Sequence, residues 1–382
     1  MCHHYNWTRY WYQRGAEIHL QGGFLYDPES EYGASLTENL VTANRLGPAR
    51  CVVLLGGPGL GNSTELRGAV TELARARLGD NGEILPIGPL SGNSNLGDRL
   101  FGTEAFQRWQ NGSHDLALLL DGLDECGAPV PQTVRDLSQR LNGLSVGCLQ
   151  RLTVFICCRD VDWMQTLEAD LENAFRRALP TSEQLDRESQ PDLVRVYELA
   201  PLRRADVVTA AMVEGKDPEA FLAALEEVGG TVLATRPSRL RTLLQRFPDE
   251  LPRTRVELFR LACLEDAEEW DERRFGRQTQ GKFTAAQRLA AACRLAAISF
   301  FGERNTIRSI PRVTAPLPTE LTWDDAIGNA EPLGQGESGE SVEISPDLIG
   351  ETLRTPLFTS DGDNQVRFVY RVVHEFMAAL YL

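Results

Sequence analysis

The stretch Cys51-Val-Val-Leu-Leu-Gly-Gly-Pro-Gly-Leu-Gly-Asn-Ser-Thr64 decides the fold. An apolar run leads into a glycine-rich turn, then Ser63-Thr64 and a helical pattern. The spacing G-x-x-x-x-G-K-[ST] of a phosphate-binding loop is met at Gly56, Gly61 and Ser63, but the lysine position holds Asn62. Such a loop turns backbone N–H groups toward phosphate oxygens and puts the positive end of the next helix behind them. The residues expected against a nucleotide are Gly56, Gly57, Pro58, Gly59, Leu60, Gly61, Asn62, Ser63 and Thr64, with the Ser63 hydroxyl on Mg²⁺. A glycine-rich turn between strand and helix is also a common tight connection, so the loop alone leaves both readings open.

Two further stretches decide between them. Leu116-Ala-Leu-Leu-Leu-Asp121-Gly-Leu-Asp124-Glu125 is an apolar strand ending in an acid. Asp121 is expected to hold Mg²⁺, directly or through water, and Asp124 or Glu125 to orient and deprotonate an attacking water. The plainer reading, a buried strand ending in a solvated acidic loop, does not account for three carboxylates gathered so closely behind such a loop. In Leu152-Thr-Val-Phe-Ile-Cys-Cys-Arg159-Asp160 another apolar strand ends in an arginine. At the carboxyl edge of a sheet, Arg159 is placed to sense a γ-phosphate or stabilise developing charge; the alternative is an ion pair with Asp160 or Asp162.

Around these motifs, residues 49–200 alternate strand-like runs (51–55, 84–87, 116–120, 152–158 and 194–199) with helical patterns (63–78, 97–109, 130–143 and 162–178). Continuous apolar runs are the mark of strands buried on both faces of a parallel sheet, so the expected class is α/β and doubly wound. Residues 1–48 are aromatic and polar and are expected to pack as a lead-in segment. Residues 201–304 read as successive amphipathic helices at 203–213, 217–227, 237–246, 253–272 and 284–302, forming a helical domain. A Pro/Gly-rich acidic stretch over 309–345 reads as a long loop or an insertion. The pattern at 346–360, 366–369 and 371–382 resembles the helix, strand and helix of a winged-helix unit, which sets a last domain at 305–382. The final helix runs into Leu382 without a capping signal, so the chain is expected to continue.

Composition narrows the functions. The chain has 382 residues, 42% hydrophobic and 24% charged, with a net charge of -15. That acidity disfavours nucleic-acid binding through this region, because phosphates would be repelled. Among 39 basic residues only Lys216 and Lys282 are lysines, so the missing lysine at 62 sits in a lysine-poor chain. No apolar run reaches membrane-spanning length and the N-terminus lacks a signal-peptide pattern. Most of the eight cysteines fall in apolar runs or helical patterns, as buried thiols of a cytoplasmic protein do. Cys2, His3 and His4 lack a second ligand pair at zinc-like spacing.

Leu118-Leu-Leu-Asp-Gly-Leu-Asp-Glu125 resembles the signature of NACHT domains, a branch of the STAND class of signal-transducing P-loop ATPases. Val154–Arg159 is similar to the family's sensor strand, and Leu199-Ala-Pro-Leu-Arg-Arg-Ala-Asp206 to the start of its first helical domain. Thr235-Arg-Pro237-Ser-Arg-Leu-Arg-Thr-Leu-Leu244 resembles the segment whose proline packs near adenine. Phe368-Val-Tyr-Arg-Val-Val-His-Glu-Phe-Met-Ala-Ala379 resembles the winged-helix segment of the family. The resemblance covers about 15–382. It implies a P-loop NTPase sheet followed by a helical and a winged-helix domain, ATP/ADP and Mg²⁺ as cofactors, and Pro237 and Tyr370 as nucleotide contacts. It also implies a cytoplasmic switch in antiviral or innate-immune-type defence. Such a switch self-associates when a trigger ligand exchanges its nucleotide, and then activates an effector.

Two positions depart from the family. Asn62 replaces the phosphate-binding lysine, a loss of about 1.5–3 kcal/mol, or about ten- to a hundredfold in affinity. Tyr370 stands where the family has a β-phosphate-contacting histidine, while His374 lies one helical turn on. Hydrolysis is therefore expected to be impaired. The N-terminal effector domain and C-terminal repeat array of such proteins are not recognisable, so the chain is expected to be the central switch of a longer protein. The competing readings are an inactive scaffold that pairs with a companion protein and a P-loop ATPase of another class, such as a helicase loader.

Overall fold

The computed structural model describes residues 5, 7–88, 96–126, 128–179, 192–268, 281–304, 306–309, 319–333, 341–361 and 364–382. The described residues form two compact units, 5–56 with 60–206, and 57–59 with 207–268 and 281–382.

The first unit is built on a seven-stranded sheet. Its strands are β1 (Tyr10–Gln13), β2 (Leu40–Thr42), β3 (Cys51–Leu55), β4 (Glu83–Ile87), β5 (Leu116–Leu120), β6 (Leu152–Cys158) and β7 (Val194–Leu199). The order across the sheet is β2-β1-β7-β3-β6-β5-β4. From β7 to β4 all neighbours are parallel, and β1 joins β7 and β2 antiparallel. All five residues of both β3 and β5 are buried. Their side chains alternate between two cores. Cys51, Val53 and Leu55 join Leu116, Leu118 and Leu120 on one face, while Val52 and Leu54 join Ala117 and Leu119 on the other. This is the doubly wound α/β arrangement expected from the apolar runs.

One face carries α2 (Leu96–Leu100), α3 (Glu104–Asn111), α4 (Val130–Asn142) and α5 (Thr166–Arg176). The other carries the helix after the glycine-rich turn, α1, which runs over 62–78 with a π-helical turn at Leu66–Val70. The pattern at 97–109 suggested one helix. The chain breaks it at 101–103, and the Thr103 hydroxyl caps α3 by accepting from Phe106 N at 3.2 Å.

The N-terminal segment does more than lead in, since β1 and β2 extend the sheet. Aromatic β-formers at 10–12 explain the pairing, with Trp11 opposite Leu199 and fully buried.

The second unit contains α6 (Arg204–Val213), α7 (Pro218–Glu227), α8 (Pro237–Arg246), α9 (Arg255–Glu268) and α10 (Ala285–Phe301). Part of the stretch expected as one long loop is ordered: Glu320–Leu321 pairs as a strand, and Gly328–Pro332 forms a hairpin with Ser341–Ile344. The alternation that buries Val342 and Ile344 is short and lies beside Gly/Glu-rich sequence, which hid it. Residues 310–318 and 334–340, with Cys2, His3 and His4, fall outside the described residues. The C-terminal elements are α11 (Pro346–Thr352), the hairpin Phe358–Ser360 with Gln365–Phe368, and α12 (Arg371–Tyr381), a winged-helix arrangement. No helix among the described residues is long and apolar enough to cross a membrane. The described cysteines are buried, and none of them forms a disulfide among the described residues.

Inside the second unit, His374 of α12 contacts Ser299 Oγ at 2.7 Å and Ala296 O at 3.2 Å on α10, and its ring stacks on Phe368 at 4.5 Å. Burial lowers its pKa from the ordinary 6.5. The unfolded chain therefore binds the proton at a pH where the folded one does not. Stability is full above the unfolded pKa and falls as the pH drops below it. Denaturation of wild type and His374→Gln at several pH values between about 7.5 and 5.5 should show a loss in wild type that the variant lacks. Trp11→Ala should lower the unfolding free energy by about 3–5 kcal/mol in urea titrations, and a loss under about 1 kcal/mol would show that β1 is an appendage of the sheet.

Candidate functional site

A parallel sheet collects its loops at the carboxyl ends of its strands. Three of the sequence motifs meet that rule: Gly56 follows β3, Asp121 follows β5 and Arg159 follows β6. Strand β6 lies between β3 and β5, so the glycine-rich turn and Asp121 lie on either side of one strand.

The turn depends on two glycines with left-handed backbone, Gly59 (φ 73°) and Gly61 (φ 101°). Gly61 caps α1, its carbonyl accepting from Thr64 N and Glu65 N at 3.0 Å. Gly56 must be small for another reason: a Cβ there would lie 2.3 Å from Asn62 Oδ1. The Asn62 side chain thus folds back over the start of the turn. Its Oδ1 is buried and takes no hydrogen bond from the described residues.

Asp121 is 7% exposed. Its backbone is pinned by donation to Ile87 O at 2.9 Å, and Gly88 packs so closely that a Cβ would lie 2.6 Å from Asp121 Cβ. One carboxylate oxygen, Oδ2, lies 3.8 Å from Arg67 Nε, and the other, Oδ1, is buried with no hydrogen bond from the described residues. A buried anion with a bare oxygen suits a cation. Among the described residues no cluster of three or more His, Cys, Asp or Glu could cage a metal. Mg²⁺ bound with a nucleotide needs no such cage, being held by one or two protein oxygens together with phosphates and water. Asp121 and the Ser63 hydroxyl are the side chains suited to it.

Gly122 explains the small residue after the acid. Its φ of 74° and ψ of 50° are left-handed, and a Cβ would come within 3.1 Å of Glu125 Cδ. The two remaining acids therefore diverge in role. Asp124 accepts from Arg159 N at 3.2 Å and pairs with Arg159 Nε at 3.5 Å, both side chains being largely buried. Glu125 instead folds back over Gly122. Asp124, the acid one motif earlier, is thus a partner of Arg159 that the sequence reading did not name. Beneath them the Cys157 thiol is held neutral, its pKa raised by burial and by the nearby Asp121 and Asp124.

The sequence reading missed a further group. Arg9 is buried, and burial lowers its pKa to about 10, so it stays charged at neutral pH. It donates to Leu60 O in the turn and to Ala200 O after β7, each at 2.8 Å. Nearby, the Tyr5 and Trp7 rings stack at 4.6 Å, and Trp7 Nε1 donates to Asp206 O at 2.9 Å. Tyr5, Trp7, Asn44, Thr64, Glu65 and Gly68 line part of a cleft of about 1020 Å³ beside the first turns of α1. The aromatic run from Tyr5 to Tyr12 was the available signal, and it was read only as packing.

The remaining expected contacts belong to the second unit. Gly57–Gly59 cluster with it, and Gly59 O accepts from Ser238 N at 3.3 Å. Pro237 is the first residue of α8. Tyr370 Oη lies 2.7 Å from Thr235 Oγ1, and the Arg236 guanidinium sits 5.5 Å over the tyrosine ring. Thr235 Oγ1 also donates to Val232 O at 2.7 Å. A hydroxyl has one proton, so Tyr370 is the donor to Thr235.

An apolar parallel strand, glycine-rich turn and helix, with an acid two strands away, match the arrangement expected of a P-loop NTPase sheet, and helical and winged-helix-like elements follow in sequence. No family model and no curated protein matches the chain. Among solved structures it is similar to the Aeropyrum pernix ORC2 protein in ADPNP-ADP complexes, at 10% identity over 88% of each chain with a TM-score of 0.33. It is also similar to the Thermotoga maritima RuvB Holliday junction branch migration motor, at 14% identity over 57% of this chain and 68% of that one, with a TM-score of 0.24.

Proposed function

We propose that the chain is a nucleotide-dependent switch that binds ATP and ADP at the turn 56–64 and hydrolyses ATP poorly. The observation that carries this reading is the bare, buried Oδ1 of Asp121 at the same sheet edge as the glycine-rich turn. Backbone amides of Gly57 and of 59–64 face the phosphates. Ser63 and Asp121 hold Mg²⁺, which neutralises phosphate charge when bound. Asp124 positions Arg159, and Glu125 orients the attacking water. The cleft beside Trp7 takes the base, with Thr64 at its phosphate end. Asn62, short and uncharged, leaves the phosphates without the usual ammonium.

On the Gly122, Asp124 and Glu125 signature we read the switch as NACHT-like, serving defence signalling through self-association. Its domains are proposed at 49–200, 201–304 and 305–382, after the N-terminal segment 1–48. Tyr370 is engaged with Thr235. An inactive scaffold is the second reading, favoured by that same engagement.

Thermal melts with ADP and ATP separate the two. Ligand at a hundred times its Kd stabilises by about 2.7 kcal/mol, so millimolar nucleotide should raise the Tm by several degrees while phosphate release stays near background. No shift at millimolar nucleotide would favour the scaffold. Asn62→Lys should tighten ADP about ten- to a hundredfold. In that background Glu125→Gln should cut turnover about a hundredfold or more and leave ADP affinity unchanged. Trp7→Ala should weaken ADP about tenfold, as loss of an aromatic base contact does, and leave pyrophosphate affinity unchanged.

A further inference from the structure

We propose that Arg67 is the phosphate-facing cation of this site, standing in for the lysine absent at 62; the inference rests on the nucleotide reading above. Arg67 lies four residues after Ser63 on α1, so it shares that residue's helix face. Its Nε donates to Ser63 O at 2.9 Å and lies 3.8 Å from Asp121 Oδ2. The guanidinium is thereby brought to the two residues suited to the divalent cation. Its side chain is 70% exposed, and among the described residues no acceptor takes a hydrogen bond from its Nη1 or Nη2. Anchored by Nε, it offers two N–H-bearing nitrogens to an incoming oxyanion, the geometry in which arginine binds phosphate.

The helix is locally altered where this occurs. The π-helical turn Leu66–Val70 contains Arg67, and Thr71 Oγ1 donates to Leu66 O at 2.6 Å, occupying a carbonyl within the widened turn. Such turns are rare and concentrate at functional sites. Next to Arg67, Gly68 has no heavy atom within 4 Å of where its Cβ would stand. By contrast, the Asn62 amide is packed against Gly56 and carries no charge.

A cation already paired with Asp121 also sets the metal dependence. Without Mg²⁺, Arg67 is the positive group at this carboxylate, so the site keeps phosphate affinity in a chelator. The test is ADP and pyrophosphate titration by calorimetry in EDTA, with wild type, Arg67→Gln, Arg67→Lys, Asn62→Lys and the double variant Asn62→Lys/Arg67→Gln. Arg67→Gln should weaken both ligands about ten- to a hundredfold, and Arg67→Lys less. The double variant should recover most of the loss, which a purely structural Arg67 would not allow. Wild-type binding that Arg67→Gln leaves within about twofold overturns this inference alone. A double variant as weak as Arg67→Gln overturns it too. If neither wild type nor Asn62→Lys binds either ligand, with or without Mg²⁺, the nucleotide reading falls and this inference with it.

Discussion

Burial of the parallel strands on both faces leaves their polar neighbours very little room. With β3 and β5 wholly buried, a charged side chain within either strand would be desolvated on whichever face it chose. Charge can enter only where the strands end, and in a parallel sheet the carboxyl ends lie together. Asp121, Asp124, Glu125 and Arg159 therefore gather at one edge because the core gives them nowhere else. Left-handed glycines at 59, 61 and 122 are what allow the backbone to leave the strands sharply enough there.

That concentration of charge has to be balanced within the edge itself. Asp124 is balanced by Arg159 through both backbone and side chain. Asp121 is balanced only in part, by an exposed Arg67 at 3.8 Å on one oxygen, with the other oxygen buried and bare. A long, solvent-exposed contact is weak, whereas a bare buried carboxylate oxygen is costly. The imbalance lies at Asp121 and not at Asp124. This is why Asp121 is the acid suited to a cation, while its neighbour is committed to positioning the arginine.

The parts that follow strict periodicity were legible in the sequence. Continuous apolar runs identified the five parallel strands, and glycine spacing identified the turn. The acid at the end of β5 and the arginine at the end of β6 were likewise visible, because strand ends are where such residues stand out. Other features depend on which strand meets which. Nothing local says that Trp11 pairs opposite Leu199, nearly the whole first unit away in sequence. That Asp124 meets Arg159 depends on the pairing of β5 with β6, which sequence proximity does not reveal. Arg67 looked like an ordinary exposed helical arginine. Its place beside Asp121 follows from the sheet order and from the helix face it shares with Ser63.

The second unit gives Tyr370 a role that its position alone did not suggest. A histidine at the corresponding point could present an N–H to a phosphate. Tyr370 has one proton, and with Thr235 Oγ1 already donating to Val232 O, that proton goes to Thr235. What remains on the tyrosine oxygen are lone pairs, which repel phosphate oxygens. Arg236, stacked over the ring and donating to Pro356 O at 3.0 Å, holds the arrangement in place. Tyr370 thus ties the start of α8 to the winged-helix elements by a bond made within the second unit itself.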